Sequence, residues 1–442
     1  MPSASEQLAA NFNFSAFSKA TELRQRIFFT LGALIIARLG TYIPMPGIDP
    51  GKLAHLMQQN QGGLLDVFNV LAGGAIGRMA IFALGIMPYI SASIIIQLMT
   101  TVFPDLETLK KEGEAGRKTL NQYTRYGTVA LAALQAYGIA IGLEHMGVVF
   151  QPGFFFRFAA MITLTGGTVL LMWIGEQITS RGVGNGISLI IFVGIVARFP
   201  GMIIDAFEAG RTGAVSPAVL VIGSAFIVAL ILGIVFMERA QRRLLVQYPK
   251  RQVGNRMFGG ESSHLPLKIN MSGVIPPIFA SSILLMPATV ANFNAASVPD
   301  WLQTIVQYIS HGQPLYLALY AALIVFFTFF YTSVQFNPEE MADNLKKYGG
   351  FLPGIRPGKK TGEYIDYVMT RITVVGAVYL AVVCLIPEFL IYRYNIPFYL
   401  GGTSILIVVS VMMDTVAQIQ SHLIAQQYEG LIKKAKLRGA RR

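Results

Sequence analysis

The chain has 442 residues, of which 53% are hydrophobic and 13% charged, with a formal net charge of +12. Soluble domains carry about a quarter charged residues, so this composition excludes an ordinary soluble protein and puts the chain in a bilayer. The uneven placing of the positive charge then gives its orientation.

The first 23 residues are polar, and no small-residue cleavage site follows the first apolar stretch. This predicts a cytoplasmic N-terminal segment over 1–26 and no cleaved signal peptide. Apolar runs predict ten spans at about 27–43, 79–101, 126–143, 154–174, 187–205, 217–237, 273–293, 315–336, 372–389 and 398–413, since a bilayer core of roughly 30 Å takes about 20 apolar residues in helix. Between the first two lies a piece that does not fit. Residues 62–76 read as an apolar half-helix, connected through Gly62–Gly63 and Gly73–Gly74 with Arg78 beyond. It is too short to cross, so it re-enters, lies at the interface or sits in a protein-lined cavity. Irregular backbone at membrane depth is tolerated only against protein or water. A chain that builds such a cavity is expected to conduct something.

With ten spans both termini share a side. That side holds Lys19, Arg24 and Arg26, the cations between spans 2 and 3 (Lys110, Lys111, Arg117, Lys118, Arg125), two long basic loops at 238–272 and 337–371, and a basic tail at 414–442. The opposite loops carry few: Lys52, Arg78, Arg198, Arg211 and Arg393. Lys and Arg mark the cytoplasmic side, so both termini are predicted to be cytoplasmic.

The fold class predicted is an all-α integral membrane protein of ten transmembrane helices. Its spans divide into halves of five, 27–205 and 217–413, which would run through the membrane in opposite directions as inverted repeats. In such repeats, Gly/Pro-interrupted spans at matching positions point to the transport path. Span 2 carries the preceding half-helix and Pro88; span 7 carries Pro276, Pro277 and Pro287. The tip of the second basic loop reads FLPGIRPGKK. Pro353 and Pro357 restrict the backbone while Gly354 and Gly358 permit tight turns, which predicts a stiff hairpin presenting Arg356 to solvent. Most of the other loop cations need do no more than set topology.

No metal-ligand spacing, GxSxG, Walker motif or HExxH occurs, so no cofactor or enzymatic activity is expected. The five histidines lie in loops or near span ends, and the one cysteine, Cys384, can form no intrachain disulfide. Arg38, deep in span 1, is the main intramembrane ionisable candidate, with Glu176 and Asp414 nearer the cytoplasmic edges. A proton-coupled solute carrier would place an acid at mid-depth, and no convincing one is present; an inverted-repeat secondary transporter remains the competing reading. Ile86 and Ile90 lie four apart on span 2, and Ile187 and Ile191 four apart opening span 5. Such pairs share a helix face, a pattern that lipid-facing isoleucine also gives.

Long contiguous stretches carry a resemblance: FALGIMPYISASIIIQL (82–98), KKEGEAGRK (110–118), QYTRYGT (122–128), GEQITSRGVGNGIS (175–188), HLPLKINMSGVIPPIFASSILL (264–285), FNPEEMADNLKKYGGFLPGIRPG (336–358) and GGTSILIVVSVMMDT (401–415). In these the chain resembles the bacterial SecY family, the large subunit of the Sec protein-conducting channel. The resemblance implies two five-helix halves closing like a clamshell on an hourglass pore, in the bacterial plasma membrane, through which unfolded secretory chains pass and from which membrane segments leave sideways into lipid. It implies a constriction of Ile86, Ile90, Ile187, Ile191, Ile278 and Ile407. The half-helix, with Leu64, Leu65, Val67, Phe68, Val70, Leu71, Gly73 and Gly74, corresponds to the plug on the outer side. Spans 2 and 3 against 7 and 8 correspond to the lateral gate, with Ser91 and Asn270 at its polar positions. The basic loops correspond to the surface shared by the ribosome and the SecA ATPase. Arg356 takes the central position there, with Lys250, Arg251, Arg256, Lys359 and Lys360 around it. SecE and SecG, small membrane subunits, are the further partners implied. The chain departs from the family pattern at Asn255, where a second cation commonly precedes Arg256, and at Pro277, an added proline before Ile278.

Overall fold

The computed structural model describes residues 21–59, 73–213, 215–248, 251–253, 256–258, 262–293, 313–394 and 401–439. In chain order its elements are α1 (Thr21–Gly40), α2 (Pro50–Gln59), α3 (Met87–Val102), α4 (Pro104–Lys111), α5 (Glu114–His145), α6 (Phe154–Arg181), α7 (Gly186–Val196), α8 (Phe199–Arg211) and α9 (Pro217–Arg239). Strands β1 (Gln241–Gln247), β2 (Arg251–Val253), β3 (Arg256–Phe258) and β4 (Ser262–Lys268) follow. The chain continues with α10 (Ile275–Phe293), α11 (Pro314–Gln335), α12 (Pro338–Lys347), α13 (Lys359–Tyr394) and α14 (Gly402–Gly439).

Among the described residues, seven helices are long and apolar enough to cross a membrane, or eight if the pair α3 and α4, bent by 102°, counts as one span. Helix α1, which carries Glu22, Arg24, Arg26 and Arg38, and α10 stand where the first and seventh spans are expected.

The largest departure from the expected boundaries is in span 2. Helix begins only at Met87, and residues 73–86 form a chain of turns. Left-handed backbone at Gly73 (φ 66°), Gly74 (φ 86°) and Met79 (φ 43°) stops a helix from propagating. The amide and carbonyl groups bond sideways instead: Met45 N donates to the Met79 carbonyl at 2.8 Å, and Ile81 N to that of Ile43 at 2.9 Å. Those pairings answer where a non-helical backbone in a membrane protein places its hydrogen bonds. The same segment lies on α6 at bare backbone, for a Cβ on Gly167 would stand 2.1 Å from the Ile81 carbonyl oxygen. Pro88 enters within the first two positions of α3, where no amide is needed. The bend after α3 falls at Phe103, held extended (φ −102°, ψ 119°) by the Pro104 that follows it.

The chain divides into two compact units. The first holds residues 1–203 and 407–442 with a short piece at 292–296; the second holds 204–291 and 297–406. In the first, α5 runs along α6 and α3 along α5. A buried cluster that includes Met45, Ile48, Met79, Leu143, Phe156 and Leu164 fills the space between them. In the second, α11 and α12 pack on α13. Helix α9 buries little: Val221, Ile222, Leu232 and Phe236 are all exposed, as a helix surrounded by lipid requires.

Candidate pore and docking surface

Ile86 ends the turn segment as the N-cap residue of α3 and is 4% exposed. Ile90, half-buried, stands one turn on, its amide donating to the Ile86 carbonyl at 3.1 Å. In the same unit α7 is started by Asn185, whose Oδ1 accepts from the amides of Ile187 at 3.1 Å and Ser188 at 3.4 Å. This cap fixes where the helix begins, and so sets Ile191 one turn beyond Ile187. Ile86 and Ile191 then line one cavity, with Leu34, Phe82, Ile190 and the Arg38 side chain among its other walls. Ile407 is 1% exposed and belongs with this unit. Ile278 belongs to the second unit, half-buried on α10, its carbonyl accepting from the Ser281 and Ser282 hydroxyls at 2.9 and 2.8 Å. Pro276 and Pro277 occupy the first turn of α10. Their missing amides are among those a helix start leaves unbonded, so these prolines begin the helix rather than interrupt it.

Leu64, Leu65, Val67, Phe68, Val70 and Leu71 lie outside the described residues; Gly73 and Gly74 close that segment in left-handed conformation. Sequence places Arg38 deep in the first span. In the structure α1 ends at Gly40, so Arg38 sits in its last turn, where a cation complements the helix dipole. Its Nη1 donates to the Gly73 carbonyl, and its Nη2 to the Tyr42 hydroxyl at 3.4 Å.

The two residues expected at the lateral gate, Ser91 and Asn270, differ in setting. Ser91 is half-buried on α3 in the first unit. Asn270, in the second, is 4% exposed and sits in the turn between β4 and α10. Its Nδ2 donates to Glu238 Oε1 at 2.7 Å and to the Gly273 carbonyl at 3.1 Å, while its Oδ1 accepts from Ser272 Oγ at 3.2 Å. Asn270 thus ties the end of α9 to the entry of α10, a role its sequence position does not show.

The two basic loops form one body. Strands β1 and β4 pair antiparallel from Gln241↔Lys268 to Gln247↔Ser262. Gln247 and Phe351 then exchange backbone hydrogen bonds at 2.9 and 3.0 Å, joining the first loop to the second. Leu244, Val246, Leu267, Leu352, Ile365 and Met369 make a shared buried cluster beneath. Burial alternates along QRRLLVQ, with Leu244 and Val246 inside and Leu245 outside, but the apolar run Leu244–Val246 carries no period-2 pattern in the sequence, so nothing there marked the strand. Above this core the tip turns through Gly354 (φ 79°) and Gly358 (φ 101°), and Arg356 is exposed. Its carbonyl accepts from Thr361 Oγ1 at 3.0 Å, which ties the backbone of the tip to the start of α13. Lys359 and Lys360 open α13, exposed, and Lys360 is paired locally with Glu363 at 2.8 Å. Arg251 and Arg256 lie on the short ladder β2–β3, and Lys250 lies outside the described residues.

Comparison with known proteins bears on the family and the fold. The SecY family model matches residues 80–416. The chain is 56% identical over 433 residues, 97% of its length and 100% of the relative's, to a protein translocase subunit SecY of Rickettsia bellii. A solved structure described as a protein conducting channel is similar with a TM-score of 0.66 at 16% identity, over 91% of this chain and 93% of that one. The Sec61 chain of a canine ribosome–channel complex from the endoplasmic reticulum matches with a TM-score of 0.60 at 16% identity, over 90% and 92%.

Proposed function

The chain belongs to the SecY family, and from that membership we propose that it is a protein-conducting channel, passing unfolded secretory polypeptides across the bacterial plasma membrane and releasing apolar segments sideways into lipid. The observation that carries the reading is the family match, 56% identity over 97% of the chain, and the lining of one small cavity within the first unit by Ile86 and Ile191 fits it. A translocating chain presents every side chain in turn, so its conduit cannot depend on specific polar contacts. Aliphatic walls are deformable, and a narrow apolar constriction dewets and resists ions. Ile90, Ile187, Ile278 and Ile407 complete the ring in this proposal, and the segment around 62–76 seals it from the outer side.

Ten spans with both termini cytoplasmic fit the distribution of Lys and Arg. The gate lies between α3, with Ser91, and α10, entered at Asn270. Apolar signal segments leave through it because each CH₂ moved into lipid is worth about 0.8 kcal/mol. The platform carrying Arg356, with Lys250, Arg251, Arg256, Lys359 and Lys360, docks the ribosome, whose RNA phosphates suit a basic surface, and in alternation the SecA ATPase. The exposed apolar length of α9 suits lipid or small membrane subunits of the SecE and SecG type. The channel itself performs no bond chemistry; its driving force comes from the docked partner.

The test is Arg356→Glu in reconstituted vesicles. Ribosome- or SecA-driven translocation should be crippled while membrane insertion and melting temperature stay as in the unaltered protein. Translocation at the ordinary rate would remove the docking role and leave the cation as a topology signal.

A further inference from the structure

The turn that joins α6 to α7, GVGN over 182–185, holds no isoleucine of the constriction, yet three helices grip it. From α1, the buried Thr30 hydroxyl accepts from the Val183 amide at 3.0 Å and itself donates to the Arg26 carbonyl at 2.9 Å. From α14, Gln418 Oε1 accepts from the Gly184 amide at 2.9 Å. From α6, Thr179 Oγ1 accepts from the Gly186 amide at 2.9 Å. Val183 is 3% exposed and packs with Leu23 and Ile27 of α1 and Ile419 and Leu423 of α14. Gly184 has φ 87°, and a Cβ there would stand 2.9 Å from Leu189 Cδ1 and 3.3 Å from Thr415 Oγ1. The turn thus touches α14 at Thr415 and Gln418. Steps of four, four and three lead from Ile407 through Val411 and Thr415 to Gln418, one stripe along a helix of 3.6 residues per turn. On its other side the turn ends in Asn185, whose cap starts α7 and so places Ile187 and Ile191. All of these residues belong to the first unit.

We propose that Thr30 and Gln418 are positioning residues for the constriction: by holding the 182–185 turn they keep Ile187 and Ile191 of α7 in register with Ile407 of α14. Contacts among isoleucines are non-directional, so they cannot by themselves fix how far one helix slides or turns against another. Hydrogen bonds are directional, and a turn amide that loses its acceptor away from water carries the cost of its desolvation. The turn therefore stays where Thr30 and Gln418 hold their oxygens. Register is set outside the ring, by polar contacts that a passing chain does not touch. The inference rests on the channel reading above and adds the residues that align two of its walls.

The experiment is the ion conductance of the reconstituted full chain in planar bilayers with a secretory polypeptide arrested in the channel, the state in which the ring must close around a chain. Gln418→Met, similar in length but without the accepting oxygen, should raise this leak about threefold. Thr30→Val, which strands the buried Val183 amide, should raise it about tenfold. Gln418→Glu and Thr30→Ser keep an acceptor for the same amides and should leak no more than the unaltered protein. Gln418 is exposed, so its variants should insert and melt as the unaltered protein does, even where Thr30→Val folds poorly. An unchanged leak in Gln418→Met, or a leak in Gln418→Glu equal to that in Gln418→Met, would overturn the proposal. Ile191→Asp, run alongside, tests the ring directly: if it leaks while Gln418→Met does not, the positioning role fails and the channel reading stands. If neither leaks, both fail.

Discussion

Leu352→Ala tests whether the two basic loops work as one platform. Leu352 is 3% exposed within the cluster of Leu244, Val246, Leu267, Ile365 and Met369, immediately before the turn that carries Arg356. Truncating a core leucine to alanine costs about 3–5 kcal/mol, part of it from the cavity left behind. The six-residue cluster is small and local, so that cost falls on the joint between loops rather than on the membrane helices. At 1.4 kcal/mol per tenfold, the population with an opened joint should rise by two to three and a half orders of magnitude, about 100- to 3000-fold. Amide hydrogen exchange reads this directly. The Gln247 and Phe351 amides, bonded across the two loops, and the Ile355 amide, bonded to the Leu352 carbonyl at 3.1 Å, should exchange at least about 100-fold faster. Partner-driven translocation should fall with them although Arg356 is still present. Unchanged exchange at 247, 351 and 355, or ordinary translocation despite faster exchange, would refute the claim that packing beneath the tip makes it a docking surface.

Two other outcomes follow from the pore residues. Ile86 and Ile407 are 4% and 1% exposed; an aspartate at either gives up about 1.5–3 kcal/mol of apolar burial and draws water into the closed constriction. Resting conductance in planar bilayers should therefore rise more than tenfold and the demand for a strong signal sequence should relax, while unchanged conductance in both variants would remove them from the seal. At the proposed gate, cysteines at facing positions of spans 2 and 7, in a background with Cys384 replaced, should crosslink in the resting channel and stop translocation once bridged. Export that continues through a complete bridge would place the gate elsewhere.

Much of this was legible in the chain itself. Hydropathy marked where apolar helices lie, seven or eight of them long enough to cross a membrane among the described residues, because a long apolar helix in lipid satisfies every backbone group internally. Lys and Arg gave the proposed orientation, and the long motif matches gave the family. The prolines and glycines of FLPGIRPGKK gave an exposed Arg356, since φ restriction is a property of the residues themselves. Where the second helix begins was not legible: its apolar run continues back to Met79, and only hydrogen bonds to residues 43–45 hold that stretch as turns. Pro276 and Pro277 looked like interruptions until the start of α10 was seen to fall beside them, whereas Pro287 does lie inside the helix. That the loops at 238–272 and 337–371 share a core depended on the Gln247–Phe351 pairing between residues 104 positions apart. The partner of Arg38 was a backbone carbonyl 35 residues away. A carbonyl leaves no mark in the sequence, since every residue carries one; which of them an arginine reaches is decided only when the chain has folded.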